Sequence, residues 1–280
     1  MSGGGSFSES ARHAGAAARR WMTTAGDALA SVFFPAGCRI CERLLVGASR
    51  VPVCEECLGS FEARPQRKCE ICGQELPSFE AAAPEGLICP ACQMQTYAFA
   101  RARSFGVYEG ALVRAILLLK FEEVTPLGEW FAEKLAGMVR REGELLAADV
   151  VVPVPLHRER ERERGYNQAT VLAKPLAKRL RLPFKAVLLL RTRPRPDKQV
   201  LSLEERWASV RGAFATRPGS QVDKLRVLLV DDVMTTGATL DACARALLKS
   251  GAKSVVGLTV ARAVRSPIPK VVHANSQAAR

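Results

Sequence analysis

The spacing of apolar positions changes character near residue 100. Beyond it, strand-like and helix-like runs alternate, the pattern of a parallel sheet flanked by helices. Arg101 to Tyr108 reads as a strand. Ala111 to Phe121 reads as a helix with Leu112, Ile116 and Leu119 on one face. Leu127 to Arg141 reads as a second helix with Trp130, Phe131, Leu135 and Met138 inward. Asp149 to Pro155 is a strand running into a loop, because Pro153 and Pro155 mark a strand's end rather than its middle. Asn167 opens a helix reaching Leu180, and Pro175 is expected to kink it or delay its start. Phe184 to Leu190 predicts another strand, Leu203 to Val210 a helix, and Ser254 to Val260 the last strand. Val227-Leu228-Leu229-Val230, bounded by polar residues, predicts a strand covered on both faces.

Before residue 100 long periodic runs are few. Ala16 to Phe34 has the spacing of a short amphipathic helix, with Trp21, Leu29, Val32 and Phe33 apolar. The expected organisation is a flexible N-terminus and short helix over 1–34, a small cysteine-rich unit over 35–99, an α/β domain over 100–264 and a disordered tail over 265–280. No stretch of 18 apolar residues occurs, which argues against a membrane-spanning helix, and the start lacks the apolar core of an export signal. Cytoplasmic residence is the expectation.

Cysteine usage adds a metal. Eight of the nine cysteines form four Cys-x-x-Cys pairs, Cys38/Cys41, Cys54/Cys57, Cys69/Cys72 and Cys89/Cys92. Two residues between thiolates let a turn point both sulfurs at one tetrahedral ion, so four pairs predict two structural Zn²⁺ sites. Disulfides would need an oxidising compartment, to which nothing here directs the chain. The favoured grouping is sequential: Cys38, Cys41, Cys54 and Cys57 on one ion, Cys69, Cys72, Cys89 and Cys92 on the other. Interleaved grouping is the alternative. Cys243 repeats at helical spacing with Leu240, Leu247 and Leu248 and reads as a small core residue. The three histidines share no cluster.

The formal net charge is +13. Eight thiolates remove eight charges and two zinc ions return four, leaving +9 for the metallated chain. That balance suits a polyanionic partner such as nucleic acid, though a basic surface also serves solubility.

The candidate ligand chemistry lies after the apolar run. Asp231 and Asp232 end it, at the strand edge where open α/β sheets bind ligands. Thr235, Thr236 and Thr239 carry hydroxyls, Gly237 permits a tight turn, and a helix starting near Thr239 would aim its positive end at the same spot. The combination suits a sugar phosphate: acids for vicinal hydroxyls or a divalent cation, hydroxyls and N–H groups for the phosphate. Arg158 to Arg164 alternates Arg with Glu and reads as a solvated, self-paired segment. It leads into Arg164-Gly165-Tyr166-Asn167-Gln168, a charge, a turn and two amides beside a strand end. Arg191 to Gln199 is a Pro-rich basic loop, by default a linker, but also the kind of mobile loop that closes over pyrophosphate.

The Asp231 to Thr239 string resembles the phosphoribosyl-pyrophosphate (PRPP) motif of type I phosphoribosyltransferases. With the cysteine pairs, Tyr108 through Lys120-Phe121, Pro153-Val154-Pro155-Leu156, the Arg164 to Gln168 block, Gln199 through Arg206 and Gly212-Ala213-Phe214, the chain resembles the ComF family over about residues 30–262. Ser209 stands where that family usually has Asn. The resemblance implies a type I phosphoribosyltransferase-like sheet behind a double zinc ribbon. Asp231 and Asp232 would hold the ribose hydroxyls of PRPP with Mg²⁺. Thr235, Thr236, Gly237, Ala238 and Thr239 would cradle its 5′-phosphate. Arg164, Asn167, Gln168, Arg193 and Gln199 would be pyrophosphate or lid contacts. It also implies a role in DNA uptake, single-stranded DNA as partner, and a DNA-uptake helicase that would bring the protein to the inner face of the membrane. Two functions remain open: a DNA-binding accessory protein, or a working transferase to a nucleobase. Tyr97, Phe99 and Tyr108 are the candidates for stacking on bases.

Overall fold

A computed structural model describes residues 37–45, 50–61, 67–76, 86–194 and 202–263. The predicted N-terminal helix, the tail, and Arg195, Lys198 and Gln199 of the basic loop lie outside the described residues.

Four parallel strands form the central sheet: β1 (Arg101–Val107), β2 (Val150–Pro153), β5 (Arg226–Met234) and β6 (Ser254–Arg262), in the spatial order β1-β6-β5-β2. A short antiparallel pair stands apart, β3 (Leu189–Arg191) with β4 (Phe214–Thr216). The helices are α1 (Glu55–Gly59), α2 (Pro90–Met94), α3 (Gly110–Phe121), α4 (Pro126–Glu142), α5 (Arg158–Arg164), α6 (Gln168–Leu180), α7 (Leu203–Ala208) and α8 (Ala238–Lys249). Among the described residues no helix is long and apolar enough to cross a membrane.

Strand alternation divides the core in two. Val151, Leu228, Val230, Val256, Leu258 and Val260 pack with α3, α4 and α6. Val150, Val152, Val227, Leu229 and Val255 pack with α8 and the β3–β4 pair. The cysteine-rich segments divide likewise: Cys38 joins the first core, and Cys69, Cys72, Cys89 and Cys92 join the second. Both segments also cover β1, the edge strand. Ala102 donates its backbone N–H to the Ile71 carbonyl at 2.7 Å. The Phe61 carbonyl presses so closely on Gly106 that a Cβ there would lie 2.5 Å from it.

One predicted segment differs, and two others gain detail. Phe184 to Leu190 is not one strand. Phe184 makes a single parallel bridge to Val151, the chain turns at Ala186 and Val187, and the strand is Leu189–Arg191. Its apolar residues have no common wall, since Val187 is exposed while Leu188 and Leu189 are buried. The Arg/Glu alternation of residues 158–164 forms a helix with no buried residue, closed by Gly165 in the left-handed region (φ 79°). Pro175 does not delay α6, which begins at Gln168 with Asn167 as its cap. The missing Pro175 N–H withdraws the usual partner of the Val171 carbonyl. Gly128 of α4 packs against that residue, where a Cβ would lie 2.4 Å from Val171 Cγ1.

Candidate functional site

β5 does not stop at its apolar run but continues through both acids to Met234. Alternation sends Asp231 and Asp232 to opposite sides of the strand, and both border one cleft at the sheet's C-terminal end. Asp232 is drawn into the protein at this strand end and is only 4% exposed. Its Oδ2 lies 2.8 Å from Lys120 Nζ at the end of α3, and its Oδ1 accepts the Val233 N–H at 2.6 Å. Asp231 Oδ1 accepts the Asp232 N–H at 2.9 Å. Burial pushes the Asp231 carboxyl up to about 8, and the Asp232 charge adds to the rise. The Asp232 N–H and the Lys120 charge oppose it. Lys120 thus compensates one of two close carboxylates. A cation at the second would let both ionise, which fits Mg²⁺ carried by a phosphate ligand.

After Met234 the chain turns through Thr235, Thr236 and Gly237 into α8. Gly237 is required twice. Its φ is +84°, and a Cβ would lie 2.8 Å from Met234 Cε and 3.0 Å from the Tyr97 ring. Tyr97 donates its hydroxyl to the Thr236 carbonyl at 2.9 Å, and Thr236 Oγ1 accepts the Ala238 N–H at 3.2 Å. Arg206 Nη1 donates to Thr235 Oγ1 at 3.2 Å. The loop is held from beneath, with the α8 N-terminus directed at the cleft.

The cleft encloses about 480 Å³ and gathers five cations, Lys120, Arg160, Arg164, Arg191 and Arg206, beside the two acids. Thr235, Thr236, Ala238 and Thr239 line it, and so do Arg164 and Gln168, joined Nη1 to Oε1 at 2.5 Å. Asn167 is not part of this wall. Its Nδ2 donates to the Val154 carbonyl at 3.0 Å and its Oδ1 accepts the Ala169 N–H at 2.9 Å, so both ends of the amide hold the chain. Arg193 lies outside the cleft, donating to the Arg211 carbonyl at 3.5 Å. Sequence reasoning gives no role to Lys120, Arg160 or Arg206. In the sequence Lys120 and Arg206 stand only as the ends of resemblance blocks and Arg160 inside the Arg/Glu run, and the fold alone brings them to the cleft. The stacking candidates also change. Tyr97 and Phe99 are buried against each other, 4.6 Å between ring centroids, and support the loop instead of facing a ligand. Tyr108 does border the cleft.

The cysteines form two groups of four in sequential grouping, each with its sulfurs within 4.8 Å of one another. Sulfur separations are 3.9 Å for Cys38–Cys57, 3.6 Å for Cys41–Cys54 and 3.7 Å for Cys72–Cys89. A disulfide needs about 2.05 Å. Four sulfurs around an ion at about 2.3 Å sit about 3.8 Å apart, so the cages fit Zn²⁺. Backbone N–H groups point inward, Cys54 N to Cys38 Sγ and Cys89 N to Cys69 Sγ, each at 3.3 Å. In the second cage the Cys72 and Cys92 thiols hydrogen-bond to Cys69 and hold its thiol well below the usual range, while their own rise. Such sharing of protons among packed sulfurs is what a dication replaces. Cys243 is buried and its thiol is pushed up by that burial, in keeping with a core role.

The phosphoribosyl transferase domain family matches residues 167–274. The DNA utilization protein YhgH of Salmonella typhimurium is 31% identical over 224 residues, covering 79% of this chain and 94% of its own length. Competence protein F of Haemophilus influenzae is 28% identical over 215 residues, covering 75% of this chain and 90% of its own. Among solved structures, the glutamine phosphoribosylpyrophosphate amidotransferase of B. subtilis, complexed with ADP and GMP, aligns at a TM-score of 0.33 and 23% identity, covering 48% of this chain and 26% of its own. With 94% of the Salmonella protein and 90% of the Haemophilus protein matched, a parallel sheet of the phosphoribosyltransferase kind and two four-cysteine cages at its N-terminal side, the chain belongs to the ComF family of competence and DNA utilization proteins.

Proposed function

We propose that the cleft binds PRPP with Mg²⁺ and that the protein also holds single-stranded DNA, acting in the use of imported DNA. The observation that carries the PRPP reading is the meeting, at one strand end, of paired carboxylates, a Thr-lined turn into a helix N-terminus, and five cations. Asp231 and Asp232 would take the ribose hydroxyls and Thr235 to Thr239 the 5′-phosphate. Lys120, Arg160, Arg164, Arg191 and Arg206 would face the pyrophosphate. Mg²⁺ would neutralise pyrophosphate charge. The DNA reading is supported by the relatives' names and by the +9 of the metallated chain.

Calorimetry with PRPP and Mg²⁺ tests it. Asp231→Asn with Asp232→Asn should weaken binding by about 2–4 kcal/mol, because several charge-assisted contacts vanish together. Asn is the better replacement, since Asp232 is buried and Ala would leave a hole. Undiminished affinity in a folded double variant would overturn the site.

A second reading, transfer of ribose 5-phosphate to a nucleobase, is favoured by an adjoining cleft of about 800 Å³. It shares Pro155, Leu156 and Arg191 with the first and has room for an acceptor. Pyrophosphate release from PRPP with a panel of bases decides between transfer and binding alone.

A further inference from the structure

Two arginines beside the second cysteine cage are buried, and their charges are compensated differently. Arg103 pairs with Glu142, Nε to Oε2 at 3.1 Å, and with Glu70, Nη2 to Oε2 at 3.7 Å. Arg262, at the end of β6, is 5% exposed, and among the described residues no carboxylate forms an ion pair with it. Its Nη2 donates to Cys72 Sγ at 3.4 Å, and its Nε and Nη1 are buried without a hydrogen-bond partner. Glu75 borders the same small pocket, of about 80 Å³, without reaching ion-pair distance. Water there could take up spare N–H groups but not the charge. A guanidinium removed from water needs a counter-charge nearby.

We propose that Arg262 is the outer-sphere partner of the second metal centre, the fixed positive charge that its buried thiolates require. Four thiolates around Zn²⁺ carry two net negative charges, and in this cage all four cysteines are buried. Arg262 offsets one of those charges at Cys72. In return the metallated cage is the anion that Arg262 otherwise lacks. The pairing joins the ribbon to the central sheet, since Arg262 lies in register with Val107 and its backbone carbonyl accepts the Tyr108 N–H at 2.8 Å. The first cage has no such depth, with Cys41 exposed and Cys54 and Cys57 half-buried. Arg262 acts through the ligand sulfur and is a positioning residue, independent of what the cleft binds.

Cobalt(II) is the probe, read by its thiolate charge-transfer absorption, with zinc release to a chromophoric chelator as the kinetic counterpart. Cys41→Ser with Cys54→Ser leaves the first site only two thiolates, so the second fills first and is read alone. In that background Arg262→Met, which keeps the bulk and loses the charge, should weaken cobalt binding by about 10- to 100-fold. Arg262→Lys should stay within about threefold of the parent, because a charge and not a two-pronged contact is needed. A general packing defect would weaken both by tenfold or more, and that result overturns the proposal. Unchanged affinity in Arg262→Met overturns the proposal. If Arg262→Met does not fold even with metal, Arg262→Lys decides: a loss of tenfold or more there overturns it as well.

Discussion

Lys120 Nζ and Asp232 Oδ2 meet at 2.8 Å in the cleft, so the less exposed acid of the site is held by a cation from the end of α3. The pair fixes the Asp232 carboxylate against β5 while leaving Asp231 without a comparable partner.

Removing that cation leaves a carboxylate in the protein interior. Lys120→Met is expected to lose about 1–3 kcal/mol of stability. Lys120→Arg should recover most of it. Urea denaturation of the three proteins at neutral pH checks this, and equal midpoints would mean that the pair contributes nothing net.

Asp231 predicts a pH dependence of a particular sign. Its carboxyl, raised to about 8, binds a proton more tightly in the folded chain than in the unfolded one. Its stabilising effect is complete below the unfolded value of about 3.9 and is lost as pH rises towards 8. Asp231→Asn lacks that loss. Compared with it, the parent should weaken between pH 5 and pH 8.5 by something on the order of 2–5 kcal/mol. Parallel stability curves would show that Asp231 is already ionised. Binding of a Mg²⁺-carrying ligand should release a proton near pH 7, seen as a buffer-dependent heat.

Gly237 has no tolerant replacement. At φ +84° and with the Tyr97 ring 3.0 Å from a would-be Cβ, Gly237→Ala should cost about 1–3 kcal/mol. Tyr97→Phe should cost about 0.5–1.5 kcal/mol through the lost bond to the Thr236 carbonyl. Thermal unfolding of both separates backbone strain from support of the loop.

The basic loop is expected to serve two ligands. Arg191 lines the cleft, stacked over the Phe214 ring at 5.2 Å, whereas Arg193 lies outside it. Arg191→Ala should weaken PRPP binding. Arg193→Ala combined with Arg195→Ala and Lys198→Ala should flatten the salt dependence of single-stranded DNA binding by about 2 in log–log slope, at about 0.7 per phosphate, with PRPP unaffected. An unchanged slope would remove this loop from the DNA surface.

What is legible in the sequence is what is local in it. The run from Val227 to Thr239 holds strand, acids, turn and helix start within reach of one another, and each Cys-x-x-Cys pair is its own short turn. Lys120, Arg160 and Arg206 are not legible as site members, because only the packing of α3, α5 and α7 around β5 brings them there. Tyr97 reads as a ring free to stack because aromatic residues near a junction look alike in sequence. The Thr236 carbonyl that takes its hydroxyl is contributed by a distant loop. Val187 misleads for the opposite reason: its neighbours' apolar character extends a strand that has no second wall.

The cover over β1 carries a consequence for the chain's fate in the cell. Ile71 and Phe61 lie against that strand beside the two four-cysteine turns, and Phe61 also packs on Trp130 and Phe131. A chain short of zinc would uncover an unpaired strand margin whose N–H and C=O groups can template another copy. For this protein, metal scarcity would then be felt first as self-association and clearance, before any ligand chemistry fails.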